Sequence, residues 1–282
     1  MAKKQGAKPK DVPKNANNPP LWWCIVRAPF KALWWLAKKI GNLFSFSKER
    51  AEQFSVKQHR KELSKESAYF SFQVIETIEG NWQAFEDKLL SNKSTIGIIL
   101  GARGSGKTGL GMRLLENARA KTRRTCYCMG FHEETLPSWL QSISKLEEAN
   151  KDSFILIDEG GILYSARKSM SEANKILSEA LLIARHNDLS IIFISQNSAN
   201  LEINALRQAD YLLLKPSSLL QKDFERQKIK DIYEASSTGF QKHKNRDGLT
   251  YAYSTEFQGF FSNPLPSFWT SKVSKSFRKE NK

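Results

Sequence analysis

The chain is 282 residues long, 40% apolar and 26% charged, with a formal net charge of +15, which allows one sizeable domain with extensions. Of its three cysteines, Cys24 is remote while Cys126 and Cys128 alternate along an expected strand, which argues against a disulfide framework. Cys-Tyr-Cys has no common metal spacing, and four scattered histidines offer it no partners.

The excess positive charge sits in the flanks. Residues 1–66 hold 15 Lys/Arg against 5 Asp/Glu, residues 236–282 hold 8 against 3, and the stretch between holds 21 against 21. Basic flanks around a neutral core suit a polyanion, either nucleic acid or an anionic membrane face, or serve as solubilising tails.

Residues 1–20 are rich in Lys, Asn and Pro and are expected to form a disordered basic tail. An aromatic segment follows at 21–46, carrying Trp22, Trp23, Phe30, Trp34, Trp35, Phe44 and Phe46. Arg27, Lys31, Lys38 and Lys39 interrupt it, so no bilayer span is expected. As a helix it gathers Arg27, Lys31, Lys38 and Asn42 into a narrow polar stripe. That pattern suits a helix lying on an anionic membrane surface, or one docked on the core or on a partner subunit. No small-residue cleavage site follows closely after Leu21, so no secretory signal is expected and the cysteines read as reduced, intracellular thiols. Residues 47–93 form a charged linker region, helical at first, with strand-like alternation from Ala68 to Ile78.

The core is expected over 94–235. A buried strand at 96–100 runs into Gly101, Ala102, Arg103, Gly104, Ser105, Gly106, Lys107 and Thr108, a G-x-x-x-x-G-K-[ST] phosphate loop opening a helix over about 107–121. Glycines let the backbone curl so that successive N–H groups face phosphate oxygens. Lys107 places a point charge there, and the Thr108 hydroxyl can coordinate Mg²⁺. The pattern predicts binding of ATP, with Mg²⁺. A strand is expected at 124–130 and a helix at about 135–149. The strand at 153–158 ends in Asp158 and Glu159, which suit a Mg²⁺-shell carboxylate and a water-polarising base. After a helix over about 172–186, a strand at 190–195 ends at Gln196, placed to touch the γ-phosphate or the attacking water. A short helix (201–207), a strand (209–214) and a last helix (224–235) complete an α/β core: a mainly parallel sheet covered by helices on both faces. Residues 236–282 are read as a hairpin edge, Leu249 to Phe261, and a basic tail.

The phosphate loop, the Ile-Asp-Glu strand and the Ile-Ser-Gln strand, in this order, resemble RecA-like (ASCE) P-loop motors. Leu182 to Gln196, with its Arg185-His186 pair, and Leu206 to Leu212 resemble the FtsK–HerA superfamily of DNA-pumping ATPases. Within it the chain looks like genome-packaging ATPases of membrane-containing icosahedral viruses and their archaeal HerA-type relatives. Gly259 to Lys272 resembles the tails of these proteins. The resemblance implies a Mg-dependent ATPase working as a homo-oligomeric ring on DNA, through backbone contacts without sequence preference. It also implies a trans-acting arginine, Arg207 or Arg185, partners among capsid or vertex proteins, and residence in a host cytoplasm or virion. The zonula occludens toxin-like phage assembly ATPases share the core motifs but carry a membrane span after the ATPase domain, which is not seen in this sequence. A membrane-docked extrusion ATPase of that kind, or a slow nucleotide switch that changes partners, are the alternatives. The aromatic segment belongs to none of these patterns.

Overall fold

The computed structural model describes residues 66–160, 170–201, 203–218, 224–270 and 273. The expected basic tail 1–20, the aromatic helix 21–46 and the helical start of the linker lie outside the described residues, as does nearly all of the C-terminal tail beyond 270.

Among the described residues nine strands form one sheet. In chain order they are β1 (Gln73–Gly80), β2 (Ile96–Leu100), β3 (Thr125–Met129), β4 (Leu140–Ile143), β5 (Ser153–Asp158), β6 (Ser190–Ile194), β7 (Tyr211–Leu214), β8 (Leu249–Ser254) and β9 (Phe257–Ser262). The helices are α1 (Trp82–Leu90), α2 (Lys107–Thr122), α3 (Met170–His186), α4 (Ile203–Gln208) and α5 (Gln227–Lys242). Across the sheet the order is β1-β9-β8-β7-β2-β6-β5-β3-β4. The six strands from β7 to β4 are parallel, whereas β8, β9 and β1 extend the sheet antiparallel.

The central strands β2, β5, β6 and β7 are buried at every position. Their near-continuous apolar runs are what a strand covered on both faces needs. Alternate residues then feed two cores. On one face Ile98, Ile155, Ile191 and Leu212 meet Leu177, Ala180, Leu181 and Ala184 of α3 and Ile229, Ile232 and Tyr233 of α5. On the other, Ile99, Leu156, Ile192 and Leu213 meet α1 and α2. The helical contacts recur at three- and four-residue spacing, the period of one helix face.

At the N-terminal edge of the parallel strands Arg124 is buried and gathers several carbonyls. It donates to Asn92 O at 3.1 Å, Ser153 O at 2.9 Å and Asp188 O at 3.0 Å. On the outer face, α2 is held by both flanks of the described chain. Arg113 and Glu116 form a buried 2.7 Å ion pair. Arg113 also donates to the carbonyls of Pro264 and Leu265, and Glu116 accepts from the Ser267 amide and hydroxyl. Asn117 exchanges two hydrogen bonds with the backbone of Phe70, at 2.8 and 3.0 Å.

Three expectations are corrected. The helix expected over 135–149 is absent: a short 3₁₀ turn (Glu133–Thr135), β4 and a second turn (Leu146–Glu148) stand there. Leu136, Leu140, Ile143 and Leu146 imitate helical spacing, but Leu140 and Ile143 serve opposite faces of the sheet, as an odd separation on a strand requires. The β8–β9 hairpin forms as expected but is not the edge, because β1 pairs outside β9. The last helix also runs on to Lys242 rather than ending near 235.

Candidate nucleotide site

The phosphate loop leaves the buried C-terminal end of β2. Gly104 and Gly106 take φ of +78° and +90°, and Gly101 takes +151°, conformations that glycine adopts without a Cβ clash. The loop is tied to the chain that follows β7. Lys215 N donates to Leu100 O at 2.8 Å, and Ala102 N donates to Pro216 O at 3.1 Å. A Cβ on Gly101 would stand 2.5 Å from Lys215 Cβ.

Lys107 opens α2 and is buried, its ammonium donating to Gly101 O at 2.7 Å and Ala102 O at 2.9 Å. Burial lowers its pKa, and the carboxylates of Asp158 and Glu159 push back towards the charged form. The first turn of α2 holds no acidic residue and its N-cap, Gly106, offers no side-chain acceptor. Its amide groups and dipole are therefore open to an anion. Ser105 Oγ is buried within the loop with no hydrogen-bond partner among the described residues. An orphaned hydroxyl, a cradle of amides and a buried ammonium together fit a phosphate chain.

The sheet order brings the remaining groups to the same edge. Asp158 ends β5, and its Oδ2 accepts a 2.9 Å hydrogen bond from Thr108 Oγ1. Its Oδ1 accepts from Gly160 N at 3.1 Å. This hydroxyl–carboxylate pair is an oxygen donor set of the kind Mg²⁺ takes beside phosphate. Glu159, just past the strand, is buried, and the Ser195 hydroxyl donates to its Oε2. Strand β6, which runs towards Gln196, lies between β2 and β5. Gln196 is exposed one residue beyond Ser195. A Cβ placed on Gly160 would lie 3.3 Å from Asp158 Oδ1 and 4.0 Å from Gln196 Nε2. Thus Lys107, Thr108, Asp158, Glu159 and Gln196 share one edge of the sheet, while Arg103 is exposed on the loop.

Arg185 and Arg207 stand elsewhere. Arg185 is exposed in the last turn of α3, just before β6 begins, and Arg207 is exposed in α4, just before β7 begins. Both lie at the opposite, N-terminal edge of the parallel strands, with the length of β2, on the order of 13 Å, between them and the loop. Arg207 lines a cavity of about 910 Å³ with Ile203, Leu206, Arg226, Ile229 and Tyr253. That cavity touches none of the phosphate-loop residues.

Two residues at the site escape sequence reasoning. Ser195 reads as an ordinary polar strand end beside Gln196. Lys215 reads as a surface charge, yet it is only 1% exposed. Its ammonium donates to Gly248 O at 2.8 Å, Leu249 O at 3.3 Å and Asn263 Oδ1 at 2.9 Å. Its only sequence signal is a position directly after the apolar run of β7.

Residues 109–212 match the family described as Zonular occludens toxin (Zot), a span that begins directly after Thr108 and covers less than half of the chain. No curated protein matches. Among solved structures, the DNA-packaging ATPase B204 from Sulfolobus Turreted Icosahedral Virus is similar at 14% identity and a TM-score of 0.42, over 62% of this chain and 99% of that one. The genome packaging NTPase B204 from Sulfolobus turreted icosahedral virus 2 in complex with sulfate gives 14% and 0.41, over 62% and 98%. The same NTPase in complex with AMPPCP gives 16% and 0.39, over 62% and 100%.

Proposed function

We propose that the chain is a Mg-dependent ATPase that moves DNA as a ring of identical subunits, with packaging of a viral genome as its work. The observation that carries the ATPase reading is the Thr108–Asp158 hydrogen bond, set between the buried Lys107 and the buried Glu159. Lys107 and the loop amides would hold the β- and γ-phosphates, and Thr108 and Asp158 would hold Mg²⁺. When bound, the ion neutralises charge that builds on the phosphate oxygens. Glu159 orients water and takes its proton, and Gln196 hydrogen-bonds the γ-phosphate or that water.

The DNA-moving part of the reading is supported by motif order, by the Arg185-His186 and Leu206 to Leu212 segments, and by basic flanks around a neutral core. The test is ATP turnover with and without Mg²⁺ and duplex DNA. DNA is expected to raise turnover. Glu159→Gln is expected to keep nucleotide binding and lose about 10²- to 10⁴-fold in rate. Full turnover by Glu159→Gln would overturn the assignment of the base, and turnover indifferent to DNA would overturn the translocase.

The match to the Zot family over 109–212 favours a second reading, a membrane-associated assembly or extrusion ATPase. A jelly-roll capsid gene beside this one would support packaging, and filamentous-phage coat genes would support extrusion.

A further inference from the structure

We propose that Ser195 is a positioning residue for hydrolysis, its hydroxyl holding the Glu159 carboxylate on the β6 side of the site. The inference rests on the ATPase reading above and goes beyond it by assigning a residue that no motif marks. Ser195 and Glu159 are both buried, at the ends of adjacent parallel strands. The Ser195 hydroxyl has one proton and two acceptors within reach, Glu159 Oε2 and, at 3.0 Å, Asn197 O. A carboxylate is the stronger acceptor, so the proton goes to Glu159. The hydroxyl oxygen in turn accepts from Asn197 N at 3.3 Å. Ser195 is thereby fixed from behind by its own turn while it fixes Glu159 in front.

The placement decides what this does. Strand β6 separates the phosphate-loop strand from the carboxylate strand. A glutamate drawn towards β6 is drawn towards the space between Lys107 and Gln196, where the γ-phosphate would end and attacking water would stand. A glutamate side chain has three rotatable bonds, and one buried hydrogen bond at its tip removes most of that freedom. A base works only when held within hydrogen-bond reach of the proton it takes.

A purely structural role for the 195–197 turn is the competing account, and a double-mutant cycle separates the two. Turnover is measured for wild type, Ser195→Ala, Glu159→Gln and the double variant, with circular dichroism confirming folding of each. Ser195→Ala is expected to lower kcat about tenfold with KM for ATP within about twofold, since hydrogen bonds to charged groups carry effects of that size. In the Glu159→Gln background the same change is expected to cost less than about twofold. Ser195→Thr, which keeps the hydroxyl, is expected to restore most of the rate. Equal losses in both backgrounds, or no loss in Ser195→Ala, would overturn the proposal while leaving the ATPase intact. If Ser195→Ala does not fold, Ser195→Thr with wild-type kcat supports the proposal, and Ser195→Thr with a tenfold loss overturns it. A wild-type chain without turnover would overturn the ATPase reading itself.

Discussion

The Cβ of Lys215 stands 2.5 Å from the point that a Cβ on Gly101 would occupy. The first residue of the phosphate loop therefore rests on a lysine stem from the neighbouring strand, and neither can grow without moving the other.

Gly101→Ala is expected to impair the site more than Gly104→Ala. At Gly104 a Cβ meets nothing within 4 Å, and only its φ of +78° opposes substitution, a cost of roughly 1–2 kcal/mol. At Gly101 the clash adds to the backbone conformation, and overpacking of this kind costs about 1–3 kcal/mol more. Titration with a fluorescent ATP analogue checks this. Affinity should fall at least about tenfold for Gly101→Ala, and by clearly less for Gly104→Ala.

Lys215 should leave a mark on stability against pH. Burial lowers its pKa from the usual 10.5 to about 7. The unfolded chain thus holds a proton on this amine that the folded chain releases between about pH 7 and 10. Stability rises with pH wherever the unfolded state binds more protons, so the cost of burying the charge is full below pH 7 and shrinks above it. Lys215→Met abolishes this contribution. Denaturant midpoints from pH 7 to 9 should move in favour of wild type relative to Lys215→Met, and parallel profiles would place the lysine's titration outside this window.

Arg207 and Arg185 stand at the N-terminal edge of the parallel strands, with the length of β2 between them and the phosphate loop. Arg207 is exposed, and in the proposed ring its role would be toward the nucleotide of a neighbour. If it serves the neighbour's phosphates, Arg207→Ala and Lys107→Ala subunits, each inactive alone, regain turnover when mixed. The active fraction should follow the probability of an intact donor meeting an intact loop. Mixtures as inactive as their parents would remove Arg207 from that role, and the same experiment then applies to Arg185.

Much of this was legible because the chemistry forces a local signature. A phosphate loop needs glycines at fixed spacing beside a buried strand, and Ile96–Leu100 with Gly101 to Thr108 spells both in one run. The strands ending at Asp158 and Ile194 are buried on both faces, and their apolar runs say so. The segment at 135–149 misleads because Leu136, Leu140, Ile143 and Leu146 sit where a helix would place them. Their true partners are strands and helices from elsewhere in the chain, and pattern alone does not record those. Ser195 and Lys215 are hidden for a related reason. A serine at a strand end and a lysine after one are common, and only the sheet order reveals that the first meets Glu159 and the second lies behind Gly101. Arg113 and Glu116, three residues apart, look like a surface pair until the Pro264 to Ser267 segment is seen to cover them.

That cover gives the protein a mechanical property. The chain just before β1 is fastened to α2 through Asn117, and the chain just after β9 is fastened to it through Arg113 and Glu116. The residues that lead into β1 and those that leave β9 are thus moored to the rod that begins at Lys107. A pull on the chain at Phe70 or at Ser267 reaches that rod through side-chain hydrogen bonds before it reaches any strand. The same attachments work in reverse, so any displacement of α2 is felt at both moorings at once. The helix that opens at the phosphate loop is also the cleat to which both lines are made fast.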